Sequence, residues 1–274
     1  MSTARAHGDA PLEGERIVPG TALWEASYPD HIQRYRFALT FVREGARVLD
    51  AGCGVGYGAA EVADRRKASV VAVDIADEAL ALARLHFDRT AITWCRDDCE
   101  RLDAAGAYAP FDAIINFENI EHLAQPGTFV SRAAALLDRD GVLLTSTPNR
   151  LLLNHLRAVA ADAPSSNPYH LNEFSEAEFR ALLETYFDHV EIRYQSPAGV
   201  SRLRLRLRSA AARLRVIPLL RAVRRVLRMI ARDTSNGPAS GGALRQWTIG
   251  ERDTGAAWTL IAVCRRPRQP AVAK

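Results

Sequence analysis

The sequence predicts one α/β domain built on a mostly parallel sheet with helices on both faces. Short apolar runs that end in a polar residue alternate with helical patterns along the chain. The run at Val48 breaks into alternating glycines, Gly52, Gly54 and Gly56, and a helix follows at once. A later run ends in Asp74. Because parallel strands end at one edge of a sheet, we expect this carboxylate to lie beside the glycine-rich turn.

Length and composition suit such a domain with insertions. The chain has 274 residues, of which 48% are apolar and 25% charged, too few for two full domains. The N-terminus lacks the apolar core of a signal peptide, and no stretch approaches the ~18 apolar residues of a membrane span. We therefore expect a cytoplasmic protein. Its four cysteines form no Cys-x-x-Cys pair or metal-ligand spacing, so we expect reduced thiols.

The N-terminal region is predicted to hold a disordered stretch, 1–13, and a lid over the ligand, 14–44. A helix from about residue 29 to 43 has apolar side chains mostly on one face and directly precedes the first strand. Within it, Arg34 and Tyr35 are interpreted either as ordinary surface and core residues or as ligand contacts.

The first strand leads through the glycine-rich turn into a helix over 57–66. Glycine permits positive φ and close approach of the backbone to a ligand, which the free N–H groups of the helix then face. The next helix covers 76–87 and is predicted to bury Leu80, Ala83 and Leu85. A third strand over 91–95 follows.

The fourth strand, 111–117, runs straight into Glu118, Glu121 and His122. Residues just past the carboxyl ends of central strands face the ligand crevice, so these side chains are candidates for chemistry. A helix over 125–137 and a fifth strand over 141–147 complete this part.

A segment over 150–174 is predicted to form a lid over the substrate, since it mixes apolar residues with Pro, Ser and Asn. The next helix starts at Asn172 or Ser175 and ends near Tyr186. Glu178, three residues after Ser175, predicts a capping box.

The C-terminal region is predicted to contain a sixth strand over 190–194, an insertion over 196–250 and a seventh strand over 257–264. The domain would then span 14–265, with a flexible tail over 266–274.

The insertion carries most of the positive charge. Residues 201–232 contain eleven arginines and no acid, so subtracting +11 from the net +4 leaves −7 on the rest. Leu219, Val223 and Ile230 have helical spacing among the arginines, which indicates a basic amphipathic element. Residues 234–242 form a predicted flexible linker.

The strict alternation of glycines after Asp50 resembles motif I of the class I S-adenosylmethionine-dependent methyltransferases, rather than the Gly-x-Gly-x-x-Gly turn of nicotinamide enzymes. The resemblance implies a Rossmann-like fold, a seven-stranded sheet whose last strand is antiparallel, and S-adenosyl-L-methionine as cofactor. It implies that Asp74 binds the ribose, and that Asp98 rather than Asp97 caps the adenine; the alternative is that either acid simply caps the next turn. The implied cofactor-binding residues are Asp50, Gly52, Cys53, Gly54, Gly56, Tyr57, Asp74, Ile75, Asp98, Cys99, Asn116 and Phe117.

Three phrases, at 14–37, 118–123 and 167–174, are similar to the O-methyltransferases associated with sugar and glycan biosynthesis. The resemblance implies methyl transfer to a hydroxyl of a sugar in a glycan, glycolipid or glycosylated metabolite. A phenol, a quinone precursor or another small metabolite is the alternative acceptor.

A hydroxyl needs a base to attack well near neutral pH. His122 is the first candidate, with Glu121 orienting it or binding substrate hydroxyls and His170 as the second candidate. The predicted substrate-binding residues are Glu118, Tyr169 and His170. A divalent metal such as Mg²⁺ stays open, because the sequence has no diagnostic ligand spacing.

The arginine-rich segment has three interpretations. It binds an anionic membrane surface, which would place the enzyme peripherally at the inner membrane face, or it packs on the core or a second subunit. It could also make the protein an RNA-binding module, but it lacks the interleaved aromatic residues that stack on bases, which disfavours a nucleic-acid partner.

Overall fold

The apolar runs of the sequence form one eight-stranded sheet within the residues that the structure, a computed structural model, describes: 16–157, 159–198, 247–253 and 255–268. The strands are β1 (Arg47–Ala51), β2 (Ser69–Asp74), β3 (Ile92–Arg96), β4 (Phe111–Phe117), β5 (Leu137–Pro148), β6 (Phe187–Pro197), β7 (Trp247–Gly250) and β8 (Thr259–Pro267). The helices are α1 (Ala22–Ala38), α2 (Tyr57–Arg66), α3 (Asp77–Phe87), α4 (Asp103–Gly106), α5 (Pro126–Leu136), α6 (Arg150–Arg157) and α7 (Glu176–Glu184), with a 3₁₀ turn at Ile120–His122.

The strand order is β3-β2-β1-β4-β5-β8-β6-β7. The first five strands along the chain are parallel, whereas β8 lies between β5 and β6 and is antiparallel to both. The carboxyl ends of β1, β2, β4, β5 and β6 therefore share one edge of the sheet, which we call the carboxyl edge. The predicted fold class is confirmed, including the antiparallel last strand.

The sheet has one strand more than the seven predicted. Strand β7 pairs with the end of β6, with Trp247 opposite Pro197, inside the predicted insertion 196–250. It has four residues after a stretch rich in Gly and Ser, too short for an alternating pattern to be detected.

The core lies on both faces of the sheet. Leu49 and Ile114 pack on one face with α5 and α7, and Val48 and Ile115 pack on the other with α1, α2 and α3. Successive residues of a strand point to opposite faces, so burial on both faces requires the continuous apolar runs seen in the sequence.

Helix α1 begins seven residues earlier than predicted. Thr21 supplies the N-cap, because its side chain accepts a hydrogen bond from the backbone N–H of Trp24. Pro29, interpreted as the start of the helix, lies inside it. The helix also ends at Ala38 rather than near residue 43.

Other boundaries differ in the same way. Strand β5 starts at Leu137 with a register shift against β4, so residues 138–140, between the predicted helix and the predicted strand, belong to the strand. Strand β8 continues to Pro267, into the predicted tail. Leu80 and Ala83 are buried as predicted, but Leu85 is 74% exposed because it lies on the solvent side of α3.

Several predictions concern residues outside the described ranges. These are the disordered stretch 1–13, the basic amphipathic element 201–232, the linker 234–242 and the tail beyond Arg268. Among the described residues, no helix has the length and apolar character needed to cross a membrane.

Candidate active site

The glycine-rich turn follows β1 at the carboxyl edge. Gly52, Gly54 and Gly56 have φ of 78°, 55° and 88°, a region that L side chains rarely adopt. The backbone N–H of Gly52 donates to the carbonyl of Val73 over 2.9 Å, which ties the turn to β2. A side chain at position 52 would collide with Asn119. The turn and the loop after β4 therefore approach each other as only glycine allows.

Asp74 ends β2 beside this turn, as predicted. Its carboxylate accepts hydrogen bonds from the N–H groups of Gly54 at 2.9 Å and Ala76 at 3.0 Å, and it lies 3.5 Å from the guanidinium of Arg16. Ile75, which follows it, is 37% exposed, an apolar surface at the edge of the crevice.

Asp50 lies under the turn and is 1% exposed. The hydroxyl of Tyr35 donates to both of its carboxylate oxygens, at 3.1 and 3.3 Å. Burial raises the pKa of Asp50 to about 7, and the hydrogen bond from Tyr35 partly opposes this. Helix α1 comes this close because Gly58 has no side chain, and a Cβ there would overlap the Tyr35 ring.

Arg34, on the same helix, is 1% exposed, so it is not an ordinary surface residue. Its Nη1 donates to Gln195 at 2.6 Å and lies 3.4 Å from the carboxylate of Asp30. Its Nε and Nη2 have no hydrogen-bond partner among the described residues. These two groups form the side of the guanidinium that binds a carboxylate with two hydrogen bonds.

Sequence reasoning did not single out Asp30 or Gln195. Burial raises the pKa of Asp30 to about 6, although the positive charge of Arg34 lowers it. The available signal was the spacing of Asp30 and Arg34, which are four residues apart and so share one side of a helix.

The other predicted cofactor residues differ in how far their side chains are accessible. The hydroxyl of Tyr57 lies 3.0 Å from Nδ1 of His31. Asn116 is fully buried, donating to the carbonyl of Ala51 and accepting from the hydroxyl of Thr145, so its side chain joins neighbouring strands rather than facing a ligand. The predicted residues with largely buried side chains are Cys53, Cys99, Asn116 and Phe117.

Asp97 and Asp98 both cap the chain after β3. Asp97 accepts from the backbone N–H groups of Asp98 and Ala105, one with each carboxylate oxygen. Asp98 accepts from the N–H of Glu100 through Oδ1. The assignment of Asp98 to the adenine stays a prediction.

The loop after β4 carries two acids at the carboxyl edge. Glu118 has a φ of 49°, which is strained for a residue with a side chain. The Ser146 hydroxyl donates to its carboxylate at 2.8 Å. Glu121 is 1% exposed, and its Oε2 has no hydrogen-bond partner in the described chain. Burial, followed by the charge of Glu118, raises the pKa of Glu121 well above its usual range.

His122 and His170 meet next to these acids. Their ring centroids are 4.9 Å apart, and one ligand atom from each of Glu121, His122 and His170 lies within 4.8 Å of the others. Nδ1 of His122 donates to the carbonyl of Tyr169 at 3.1 Å, an assignment that places the lone pair of the neutral ring on Nε2. Two imidazoles and a carboxylate suit a divalent transition metal, and the orphaned Glu121 oxygen fits such a ligand.

The predicted substrate lid is bonded to this loop. The N–H groups of Leu171 and Asn172 both donate to the carbonyl of Glu121 at 2.9 Å, and the Asn172 amide donates to Leu123 at 2.6 Å. Tyr169 is 38% exposed at the lid surface. The structure thus brings Glu118, Glu121, His122 and His170 together, residues that the sequence had placed on two separate segments.

Comparisons with known proteins identify the family. A family model described as a methyltransferase domain matches residues 25–186. A Mycolicibacterium smegmatis protein named "Probable S-adenosylmethionine-dependent methyltransferase" is 36% identical over 181 residues, which span 66% of each chain. A ubiquinone biosynthesis O-methyltransferase of Dinoroseobacter shibae is 39% identical over 109 residues, 39% of this chain and 43% of the relative.

Solved structures share the fold at low identity. A methyltransferase from Archaeoglobus fulgidus has a TM-score of 0.52 and 13% identity, and the match covers 87% of this chain and 94% of that one. A Haemonchus contortus phosphoethanolamine N-methyltransferase bound to S-adenosyl-L-methionine has a TM-score of 0.50 and 18% identity, over 85% and 52% of the two chains. With the family model matching more than half of its length, the chain belongs to the class I S-adenosylmethionine-dependent methyltransferases.

Proposed function

We propose that the protein transfers a methyl group from S-adenosyl-L-methionine to a hydroxyl of a sugar, in a glycan, a glycolipid or a glycosylated metabolite. The observation that carries this proposal is the cluster of Glu118, Glu121, His122 and His170 at the carboxyl edge. Carboxylates and imidazoles bind and deprotonate hydroxyls, and a sugar offers several hydroxyls at once.

The cofactor side is proposed to use the turn, Asp74 and Arg34. Asp74 would accept hydrogen bonds from the ribose hydroxyls, taking the place of the Arg16 contact. The Nε and Nη2 groups of Arg34, which have no partner among the described residues, are complementary to the carboxylate of the cofactor's amino acid end. Asp50, which lies close by under the turn, supplies the negative charge that the cofactor's ammonium needs.

The chemistry needs little beyond positioning. The sulfonium is already a strong methyl donor, so the protein must align a nucleophile with the S–CH₃ bond and exclude water. In this proposal Nε2 of His122 removes the hydroxyl proton as the new C–O bond forms, which contributes ~10²–10⁴-fold. Glu121 binds a neighbouring hydroxyl.

A second route is favoured by the same cluster. Glu121, His122 and His170 would hold a divalent cation, which lowers the pKa of a hydroxyl bound to it. A nitrogen of His122 that binds a cation cannot also accept the hydroxyl proton, so only one of the two routes operates. Both routes end in methylation of the hydroxyl.

The competing acceptor is a phenol or quinone precursor, favoured by the ubiquinone biosynthesis relatives. A panel of sugar, phenolic and quinol acceptors with labelled cofactor separates the two, and a higher kcat/KM for the phenolic acceptors would overturn the sugar proposal. Treatment with a chelator followed by Mg²⁺ or a divalent transition metal such as Mn²⁺ separates the routes: loss and recovery of turnover supports the cation, and unchanged turnover supports the base.

Variants test the base. His122→Ala should keep cofactor affinity and lower turnover by ~10²-fold or more. His86→Ala, an exposed histidine on α3, is the matched control and should behave like the wild type. Near-normal turnover in His122→Ala together with loss in His170→Ala would place the base on the lid instead.

We also propose that residues 201–232 bind an anionic membrane surface, with a second subunit as the alternative partner. The support is the charge of the segment and its attachment: it follows β6 and precedes β7, and the end of β6 and the start of β7 both lie at the carboxyl edge. An acceptor carried on a lipid would then be presented at the correct side of the domain.

A further inference from the structure

Glu173 is a buried carboxylate on the lid that none of the roles above uses. Its side chain is 5% exposed. Its Oε1 accepts hydrogen bonds from Nδ1 of His170 at 3.0 Å and from the Ser165 hydroxyl at 2.5 Å. Its Oε2 is buried without a hydrogen-bond partner in the described part of the chain. Burying a carboxylate is costly, so this position needs a reason.

The contact with His170 decides which nitrogen of that ring carries the proton. A carboxylate accepts, so Nδ1 of His170 donates and the lone pair of the neutral ring lies on Nε2. The ring is 13% exposed and packs edge-on against His122, with its ligand atom within 4.8 Å of those of Glu121 and His122. A fixed ring keeps its lone pair on one nitrogen beside this cluster, whereas a free ring would rotate and exchange tautomers.

We propose that Glu173 is a positioning residue, which holds His170 in one tautomer and one orientation toward the Glu121–His122 pair, while Ser165 fixes Glu173 itself. This rests on the proposed function, in which His170 takes part in methyl transfer. A carboxylate that orients a histidine in this way is a general device of sites where imidazole acts as base or ligand.

Attachment of the lid does not require Glu173. The backbone bonds of Leu171 and Asn172 to Glu121, and the amide bond of Asn172 to Leu123, hold the lid on the loop independently. Removing the Glu173 carboxylate should therefore leave the lid in place and free only the ring of His170. If Glu173 served only to hold the lid together, its removal would instead disturb the lid.

The test compares Glu173→Ala and Glu173→Gln with Glu184→Gln, a half-exposed acid at the far end of α7. Nitrogen NMR of protein labelled in histidine should show a single Nδ1-protonated tautomer for His170 in the wild type and its loss in Glu173→Ala. In the same variant kcat should fall about 10–100-fold, with cofactor affinity unchanged by calorimetry. Glu173→Gln, whose amide oxygen still accepts from Nδ1–H, should recover part of the turnover.

An unchanged His170 tautomer, or wild-type kcat, in a folded Glu173→Ala protein would overturn the proposal. If Glu173→Ala does not fold, Ser165→Ala gives the same two readouts, because it removes the hydroxyl that fixes the Glu173 carboxylate. If the wild type methylates no hydroxyl acceptor, the proposed function fails, while the NMR comparison still decides whether Glu173 fixes the ring.

Discussion

Single buried charges define the site at the scale of residues. Asp50, Asp74 and Glu121 are each less than a tenth exposed, and Arg34 lies nearly without solvent contact on the helix above them. A buried guanidinium with two unpartnered N–H groups is costly unless a ligand completes its hydrogen bonds. Ligand binding and the stability of these residues are therefore linked.

The role of Asp74 leads to the first prediction. Asp74→Ala should weaken S-adenosyl-L-methionine binding by ~2–4 kcal/mol, because the variant loses a charged hydrogen-bond acceptor. Isothermal titration calorimetry measures this, with Asp77→Ala as control, since Asp77 is 71% exposed on the next helix. Unchanged affinity in folded Asp74→Ala would remove Asp74 from the cofactor site.

Arg34 carries the second prediction. Arg34→Met keeps much of the volume but removes the guanidinium, so cofactor affinity should fall about 10-fold or more. The free protein should also lose thermal stability, because Gln195 and the partly buried carboxylate of Asp30 lose their partner. Calorimetry measures the affinity for the cofactor, and thermal unfolding of the cofactor-free protein measures the change in stability. A variant that loses stability and keeps cofactor affinity would assign Arg34 to the core only.

The positions of site residues were predictable from the sequence where they follow from local chemistry. The glycines, Asp74 and the position of His122 follow from the way a strand ends. The burial of Arg34 was not predictable, since its partner Gln195 is 161 residues away and only the sheet order brings the two together. The pairing of Glu173 with His170 left a signal in their spacing of three, but no pattern marks it as buried.

At the scale of elements, α7 shows how local signals fix a boundary. Ser175 accepts from the N–H of Glu178 and Glu178 accepts from the N–H of Ser175, the predicted capping box. By contrast, α1 was misplaced because its cap, Thr21, lies eight residues before the proline that resembled a start. Strand β7 was missed because four residues hold too little pattern.

The cap of α7 gives a pH prediction. Hydrogen bonding by Ser175 lowers the pKa of Glu178 to about 2 from 4.5, so its contribution to folding is present above about pH 4.5 and lost as pH falls toward 2. Glu178→Gln should show a shallower loss of unfolding free energy over that window in urea titrations, whereas Glu184→Gln should keep the wild-type slope. Parallel curves for wild type and Glu178→Gln would contradict the assignment.

At the scale of the whole molecule, charge is divided between an acidic body and the basic segment 201–232. The fold class followed from the succession of strands and helices, which local patterns report well. The sequence places the segment between two strands, but only the sheet order shows that both strands meet the carboxyl edge.

This division leads to the prediction for membrane binding. The full chain should co-sediment with anionic but not neutral vesicles, and added salt should weaken the association, each arginine at the surface contributing ~1 kcal/mol. Replacing the four arginines at 221, 224, 225 and 228 by Gln keeps the apolar spacing and should reduce binding to anionic vesicles. Deletion of 201–232 should abolish it. Equal recovery with neutral vesicles, or none with either, would favour a second subunit.

The place of β8 between β5 and β6 has a consequence for how the chain is assembled. Strand β8 pairs Thr259–Arg265 with Pro148–Val142. More than a hundred residues must therefore be synthesised after β5 before β8, its neighbour in the sheet, is available. Until then two long strands, β5 with 12 residues and β6 with 11, have exposed edges that can pair with other chains. We expect truncation before Thr259 to yield aggregates rather than a smaller folded enzyme, with growing chains depending on chaperones until the last strand inserts.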